Sequence, residues 1–381
     1  MDEDLTYFLR ILKADAQEIM NLINSHFPEE HLLNHKKKIV HEQDYVLFPL
    51  TEDDIVRTKF TQLMDPEIKY EIITRKAEEN PHYKPNTLFE ALEGKIPKEL
   101  NHLIPRSYDI IGSIAIIEFD KEETLYNQDL FPIKKIISLA IMEINRNVKS
   151  VYEKTSEVKG TFRLRELTLL AGIDKAITIH KENNCSFELD VKEVYFTPRL
   201  VFERKRISSL EYKENEVIID LFAGVGPFSI QIANRHKVEI YAFDINEMAV
   251  AYLKKNIEQN DLIGTIYPFE LNIADLLKSN NEIGQKLENN ADRIIMNLPE
   301  RSLKFLKVAL FLLNPNGGIL HLYQFCEKPN PTERGIQNLQ KELAKYNWRI
   351  DELMTSKIVK AFSPKADLVV LDIKIKSIKK I

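Results

Sequence analysis

Residues 216–229 place a short apolar run, a two-glycine turn and a proline in immediate succession, and that combination constrains the fold more than any other stretch of the chain. Val217–Phe222 reads as a buried parallel strand. Ala223–Gly226 reads as a tight turn. Pro227 follows where a helix should begin, since its fixed φ and missing N–H suit the first helical position. Strand, turn and helix N-terminus together make a site for a nucleotide or an anion. The chain holds only 11 Gly in 381 residues, so two of them spaced by one residue in this setting need a reason.

The dinucleotide fingerprint asks for a third glycine three residues after the second, and Ser229 stands there instead. The next apolar run, Val238–Phe243, leads to Asp244, whose carboxylate can accept hydrogen bonds from both hydroxyls of a ribose. A third run, Ile266–Leu271, leads to Asn272 and Asp275, placed to meet an adenine edge. Asp220-Leu-Phe-Ala-Gly-Val-Gly226 with the later Phe243-Asp-Ile-Asn246 resembles the S-adenosylmethionine site of Rossmann-like methyltransferases. A dinucleotide enzyme and a bare structural turn are the competing readings. After a fourth strand, Asp292–Met296, comes Asn297-Leu298-Pro299-Glu300. Amino-methyltransferases carry Asn/Asp-Pro-Pro-aromatic at this place, so exocyclic-amine chemistry is not favoured. Taken alone, Asn297 could be a local cap.

Length and 44% hydrophobic content allow two or three domains. Net charge is −5, which gives no global nucleic-acid signature, so any RNA surface must be a local patch. Cys185 and Cys326 lie far apart without metal spacing and read as core thiols in a reducing compartment. No metal-ligand cluster stands out. Met1-Asp2-Glu3-Asp4 resembles neither a signal peptide nor a basic presequence, and Leu303–Leu313 is too short and too charged to span a bilayer, so a soluble protein is expected.

Three regions are expected. Residues 1–95 mix helix (Asp4–Ile23) with a strand pair near Lys38–Val40 and Asp44–Leu50. Residues 96–194 form a smaller α+β domain, with Tyr108–Phe119 as strand, Pro132–Asn147 as helix, and strands near Ser150–Lys154, Leu167–Leu170 and Lys175–Lys181. Residues 195–381 alternate strand and helix, with apolar runs at Val217, Glu239, Ile266, Arg293, Gly318 and Leu368, the signature of a doubly wound α/β sheet. Lys278–Asn290 reads as a polar surface loop.

Ahead of the glycine turn, Tyr195–Arg206 carries four cations and one acid behind an aromatic pair. Aromatics stack on bases and arginines fix phosphates, which suits flipped-out or single-stranded RNA, although a solvated helix face has the same composition. Arg163 and Arg165 are two apart. On a strand they would share a face, and in a turn they would diverge, leaving one for substrate and one to pair with Glu166 or Glu193.

Phe162-Arg163-x-Arg165-Glu166, Leu170-Ala171-Gly172, Val194–Leu200 with Glu203-Arg204, Asp220–Phe228 and Asn297-Leu298-Pro299 occur here in that order. Together with Ile104–Gly112, the set resembles the archaeal and eukaryotic tRNA (guanine-N1)-methyltransferases that modify guanosine 37 beside the anticodon. The resemblance covers roughly residues 96–325. It implies a Rossmann-like catalytic domain, S-adenosyl-L-methionine as cofactor, and tRNA as partner through anticodon loop and body, with residues 1–80 contacting the body. It also implies a monomer working in the cytoplasm, and in eukaryotic members the nucleus and mitochondrial matrix as well.

By the same resemblance Glu203 is the general base that takes the N1 proton, its pKa raised by burial, an effect worth roughly 10²–10⁴ in rate. Arg163 matches the cation that stabilises charge on O6. Tyr195 matches an aromatic near the target, and Asn297 orients guanine or cofactor. Arg204, Asp244, Ile245, Asn272, Ile273 and Asn297 would hold the cofactor around the turn of Gly224 and Gly226; Asp220, Asp275 and Pro299 are expected among the cofactor-binding residues as well. Two rivals stand beside this reading: an aminocarboxypropyl transferase of wybutosine synthesis, and a tRNA-binding module with a decayed site.

Overall fold

The computed structural model describes residues 5–27, 32–119, 130–156, 160 and 162–378, so the acidic opening Met1–Asp4 lies outside the described residues. The chain separates into two compact units, Met1–Ala91 and Leu92–Ile381.

In the first unit, β1 (Leu5–Leu12), β2 (Val40–His41), β3 (Tyr45–Pro49) and β4 (Tyr70–Lys76) form a sheet in the order β2-β3-β1-β4. The expected strand pair is present as antiparallel β2 and β3. The expected helix over Asp4–Ile23 is corrected: its first half is β1, and the helix occupies Ala16–His26. β1 pairs antiparallel with β3 on one side and β4 on the other, and Phe8, Leu9 and Ile11 are fully buried. Partners on both edges outweigh helical spacing.

The second unit opens with β5 (Asp109–Ile111), β6 (Ile114–Ile117), β7 (Ser150–Lys154) and β8 (Leu167–Gly172) in one sheet, with helix Phe131–Ile144 between β6 and β7. Tyr108–Phe119 is thus a hairpin, not one strand. β9 (Ile177–Glu182) and β10 (Cys185–Asp190) pair by themselves.

Seven strands follow: β11 (Val217–Asp220), β12 (Glu239–Asp244), β13 (Thr265–Glu270), β14 (Arg293–Met296), β15 (Gly318–Glu327), β16 (Trp348–Ala361) and β17 (Ala366–Ser377). Their order is β13-β12-β11-β14-β15-β17-β16. The first five run parallel, and β17 is antiparallel to both its neighbours. This is a Rossmann-like doubly wound sheet. The order reverses at β11, which opens a crevice at the strand's carboxyl end where such sheets bind ligands. All six expected apolar runs are strands, but β16 was not expected. Its pairing with β17 slips at Ile350/Glu352, Leu353/Thr355 and Ile358/Lys360, and each slip breaks the period-2 pattern. Lys278–Asn290, expected as a loop, carries helix Glu282–Leu287. Asn281 caps it by accepting the Gly284 N–H, and Leu287 anchors it in the core.

Both faces of the large sheet are covered. Ile111, Ile114 and Tyr152 share one core with Ile218, Val225 and Ile240, so region 96–194 is packed into the same unit as the large sheet. Ile219, Leu221, Ile294, Leu310 and Leu339 fill the opposite face. Each such aliphatic side chain contributes roughly 1.5–3 kcal/mol on burial. Cys185 and Cys326 are buried free thiols. Among the described residues no helix is long and apolar enough to cross a membrane.

Candidate active site

β11 ends in Asp220, the chain turns through Gly224 and Gly226, and helix Pro227–Ala233 starts with proline in its first turn. Both glycines sit at positive φ, +56° and +88°. A Cβ on Gly224 would have no neighbour nearer than Tyr195 O at 3.9 Å, so this glycine fronts open space. A Cβ on Gly226 would meet Leu253 and Ile230 side chains, so this glycine serves packing. The two glycines therefore do different work.

The open space is a cavity of about 350 Å³ lined by Gly224, Asp244, Ile245, Asn272, Ile273, Tyr195, Arg204 and Asn297, with an apolar wall from Leu221, Phe222, Ala249 and Leu298. Asp244 accepts the Gly224 N–H at 2.7 Å and the Asn246 N–H at 2.9 Å. Burial nevertheless holds its pKa above the ordinary value, against those backbone bonds. Asn272 Oδ1 accepts the Ala274 N–H at 3.1 Å and caps the turn that follows. An apolar slot with a few fixed polar groups is how a nucleoside-bearing ligand is held, and the free face of Gly224 and the unsatisfied Asn297 Oδ1 fit such a group.

A second cavity of about 510 Å³ adjoins it, sharing Arg163, Tyr195, Phe196, Thr197, Leu200, Asn297 and Glu300 as common wall. Lys154, Arg165, Arg199 and Lys360 add cations there, against Asp109 and Glu118. Arg199 pairs with Asp109 at 2.6 Å and Arg165 with Glu118 at 3.4 Å. Lys360 has no ion pair among the described residues, and burial together with Arg199 lowers its pKa.

Arg163 sits at φ +58° in the turn before β8. Its guanidinium lies 4.6 Å from the Tyr195 ring centroid, and its Nη2 reaches Glu300 at 3.3 Å. Arg163 and Arg165 do diverge, but their partners are Glu300 and Glu118, not the expected Glu166 or Glu193. Two buried polar atoms on the common wall, Arg163 Nε and Asn297 Oδ1, have no hydrogen-bond partner among the described residues. One is a donor and the other an acceptor.

Several expected site residues stand elsewhere. Asp220 lines neither cavity: it is buried, accepts the Ser229 hydroxyl at 2.8 Å, and is pushed up to about 7 by burial. Gly226 faces the core. Asp275 turns outward to Lys278 at 2.7 Å. Pro299 lines only the larger cavity. Arg204 is 2% exposed, donating Nε and Nη2 to Glu182 and Nη1 to the Thr197 carbonyl, so what it presents to the cavity is not a free charge.

Glu203 departs most from expectation. It lies on helix Val201–Ser208, 3% exposed, and forms no part of either cavity wall. Burial opposes its charge, yet Arg206 and Lys357 outweigh that and hold its pKa below the ordinary carboxylate value, where a raised one was expected. The sequence also missed Lys360, Glu300 and Lys357. Glu300 was visible beside Asn297, whereas the two lysines lie on β16, whose irregular register hid it.

Residues 178–351 match the TRM5/TYW2 methyltransferase domain, and residues 88–175 match the TYW2 N-terminal domain. The chain is similar to a Pyrococcus abyssi protein named tRNA (guanine(37)-N(1))-methyltransferase Trm5b, with 34% identity over 343 residues, 90% of this chain and 92% of that one. A Methanocaldococcus jannaschii protein of the same name is 35% identical over 91% of this chain and 93% of its own. The solved complex of aTrm5 with tRNALeu superposes with a TM-score of 0.70 at 32% identity, covering 96% of this chain and 99% of that one.

Proposed function

Because the chain belongs to the TRM5/TYW2 methyltransferase family, we propose that it transfers the methyl group of S-adenosyl-L-methionine to N1 of guanosine 37 in tRNA. The observation that carries this reading is the orphaned pair on the wall between the cavities. Arg163 Nε is a donor suited to guanine O6, and Asn297 Oδ1 is an acceptor suited to an N–H of the same base edge. S-adenosyl-L-methionine supplies, when bound, a methyl group activated by a sulfonium. Asp244, Asn272, Ile245, Ile273 and Gly224 would hold it in the smaller cavity.

The chain's own residues then manage a proton and a charge. N1 of neutral guanine must lose its proton before it can attack. Negative charge gathers on O6 as it does so, and a fixed guanidinium at Arg163 stabilises that state. Tyr195, beneath Arg163, offers a stacking face for the target base. Glu203 is our choice of proton acceptor: it is buried and kept ionised, and Leu200 on the common wall lies in the turn that leads into its helix. Since Glu203 is not on the wall, transfer to it runs through a bridging water.

The cations of the larger cavity suit the phosphates flanking a base that has left its stack, at an unstacking cost of about a few kcal/mol. Contact of the unit Met1–Ala91 with the tRNA body would offset that cost. We propose a monomer, and the two buried free thiols support a reducing, cytoplasmic setting.

The match of residues 88–175 to a TYW2 N-terminal domain favours one second reading, transfer of the aminocarboxypropyl group from the same cofactor. Incubating tRNA with methyl-labelled cofactor tests both. Label mapped to N1 of guanosine 37, with release of adenosylhomocysteine, supports the methyl reading. Unlabelled tRNA with release of methylthioadenosine overturns it in favour of the second, and neither product removes both.

A further inference from the structure

Beyond the cavity walls a continuous chain of buried and half-buried ionisable side chains runs from Glu203 across the large sheet, with Arg206 22% and Lys357 40% exposed. Glu203 receives Arg206 Nη2 at 2.5 Å and Arg206 Nε at 3.1 Å. Tyr323 donates its hydroxyl to the same carboxylate at 2.9 Å from β15, and Lys357 Nζ stands 2.9 Å away on β16. The remaining nitrogen of Arg206, Nη1, donates to Asp372 Oδ2 on β17 at 2.5 Å. Asp372 Oδ1 lies 2.6 Å from His321 Nδ1, and Arg293 Nη1 lies 3.0 Å from His321 Nε2. Arg293 in turn donates Nε to Glu216 at 2.7 Å.

The proton positions in this chain are fixed by elementary bonding. A guanidinium only donates, so His321 Nε2 must accept from Arg293. The single ring proton is then on Nδ1, where it is donated to Asp372. His321 is neutral, completely buried and locked in one tautomer. Burial, the first influence on its pKa, keeps it neutral, with Arg293 and Arg206 adding to that against the pull of Asp372. Arg206, Lys357 and Arg293 balance the carboxylates of Glu203, Asp372 and Glu216. A charge-balanced network whose carboxylates and histidine are buried is costly to assemble and strongly specifies one geometry.

We propose that Asp372 and His321 are positioning residues for the methyl-transfer reaction: they aim Arg206, and Arg206 holds Glu203 as a fixed, ionised carboxylate behind the guanine site. This rests on the reading of Glu203 as proton acceptor. The groups facing Glu203 are Arg206 from its own helix, Tyr323 from β15 and Lys357 from β16, with Asp372 of β17 behind Arg206. The network supplies ionisation and position at the expense of basicity, since a carboxylate held by two cations accepts a proton less readily than a free one.

The test is the pH profile of kcat/KM on full-length protein and tRNA, for the wild type, Asp372→Asn, His321→Phe and Glu203→Gln. With Asp372 neutralised, Arg206 is free to turn from Glu203, and the acid limb moves to higher pH. Asp372→Asn should then lose about tenfold relative to wild type near pH 6 while staying within about threefold near pH 8.5. His321→Phe should move the limb in the same direction. A merely structural role would lower kcat/KM by the same factor at every pH, and either that or an unshifted limb overturns the proposal. If Asp372→Asn does not fold, Arg206→Lys takes its place, because it keeps the charge but cannot bridge both carboxylates; its acid limb must also rise. Glu203→Gln separates the two ideas. Retained turnover there sinks the base assignment itself, whereas lost turnover with an unshifted Asp372→Asn limb sinks only the positioning role of Asp372 and His321.

Discussion

Asp244, at the end of β12, accepts the backbone N–H of Gly224 at 2.7 Å, so the acid and the glycine turn twenty residues earlier form one structural piece. One carboxylate oxygen ties down the turn, and the other accepts the Asn246 N–H at the start of helix Glu247–Glu258. The side chain that would meet a ribose is also the one that shapes the loop beside it.

Asp244→Ala should therefore weaken cofactor binding through two routes at once. We expect a loss of at least about tenfold in affinity for S-adenosyl-L-methionine by calorimetry, corresponding to about 1.4 kcal/mol. Unchanged affinity would remove Asp244 from the cofactor site.

The two glycines make opposite predictions. Gly226→Ala drives a Cβ against Leu253 and to 3.0 Å from Ile230 Cδ1 at φ +88°, and should lower stability by about 2 kcal/mol or more, read by thermal denaturation. Gly224→Ala meets only the conformational cost of φ +56°, roughly 1–2 kcal/mol, and should harm cofactor affinity more than melting temperature.

Arg163→Ala should reduce kcat/KM by roughly 10²–10³ if its guanidinium faces O6, while Arg165→Ala, tied to Glu118 at the rim, should cost less than about tenfold. The reverse ranking would hand the role to Arg165.

Glu203→Gln should abolish most turnover while leaving tRNA affinity intact. Glu300→Gln is the necessary companion, because Glu300 is the carboxylate that does line both cavities. Single-turnover rates that collapse for Glu300→Gln and survive for Glu203→Gln would reassign the proton acceptor.

Asp220 makes the stability of the chain depend on pH. Burial raises its folded pKa to about 7, well above that of an unfolded aspartate. The unfolded state therefore releases this proton first, and the folded state loses stability as pH rises between about 4 and 7, then levels off. The contribution is on the order of 4 kcal/mol. Asp220→Asn should flatten that slope in urea titrations across the same window; an unchanged slope would mean another group carries it.

Much of this architecture was legible because buried parallel strands are written as apolar runs. β11, β12, β13, β14, β15 and β17 all announced themselves, and Pro227 marked the helix start. The walls contributed by Asp244, Asn272 and Asn297 follow from a rule about strand ends, which needs only strand order. Other features were hidden for physical reasons. β1 is a strand because β3 and β4 flank it, and no local property of Leu5–Leu12 says so. The pKa of Glu203 depends on its burial, on Arg206 and on Lys357, and Lys357 lies more than a hundred residues away. Asp220 and Asp275 looked like ligand contacts by sequence position, yet one turns to Ser229 and the other to Lys278, a choice of direction that spacing alone does not encode.

The slip between Ile358 and Lys360 has a geometric consequence. Lys357 lies opposite Val370 and Ile358 opposite Val369, but Lys360 lies opposite Leu368, so Val359 is an extra residue in the count. Two amines three positions apart would otherwise point to opposite sides of a strand. With Val359 inserted they share a side, one steadying Glu203 and the other opening into the cation-lined chamber. Flattening the bulge with Val359 kept in the ladder would turn one of the two ammonium groups to the far side of the sheet, whereas deleting Val359 would leave the lysines two positions apart and still on one side.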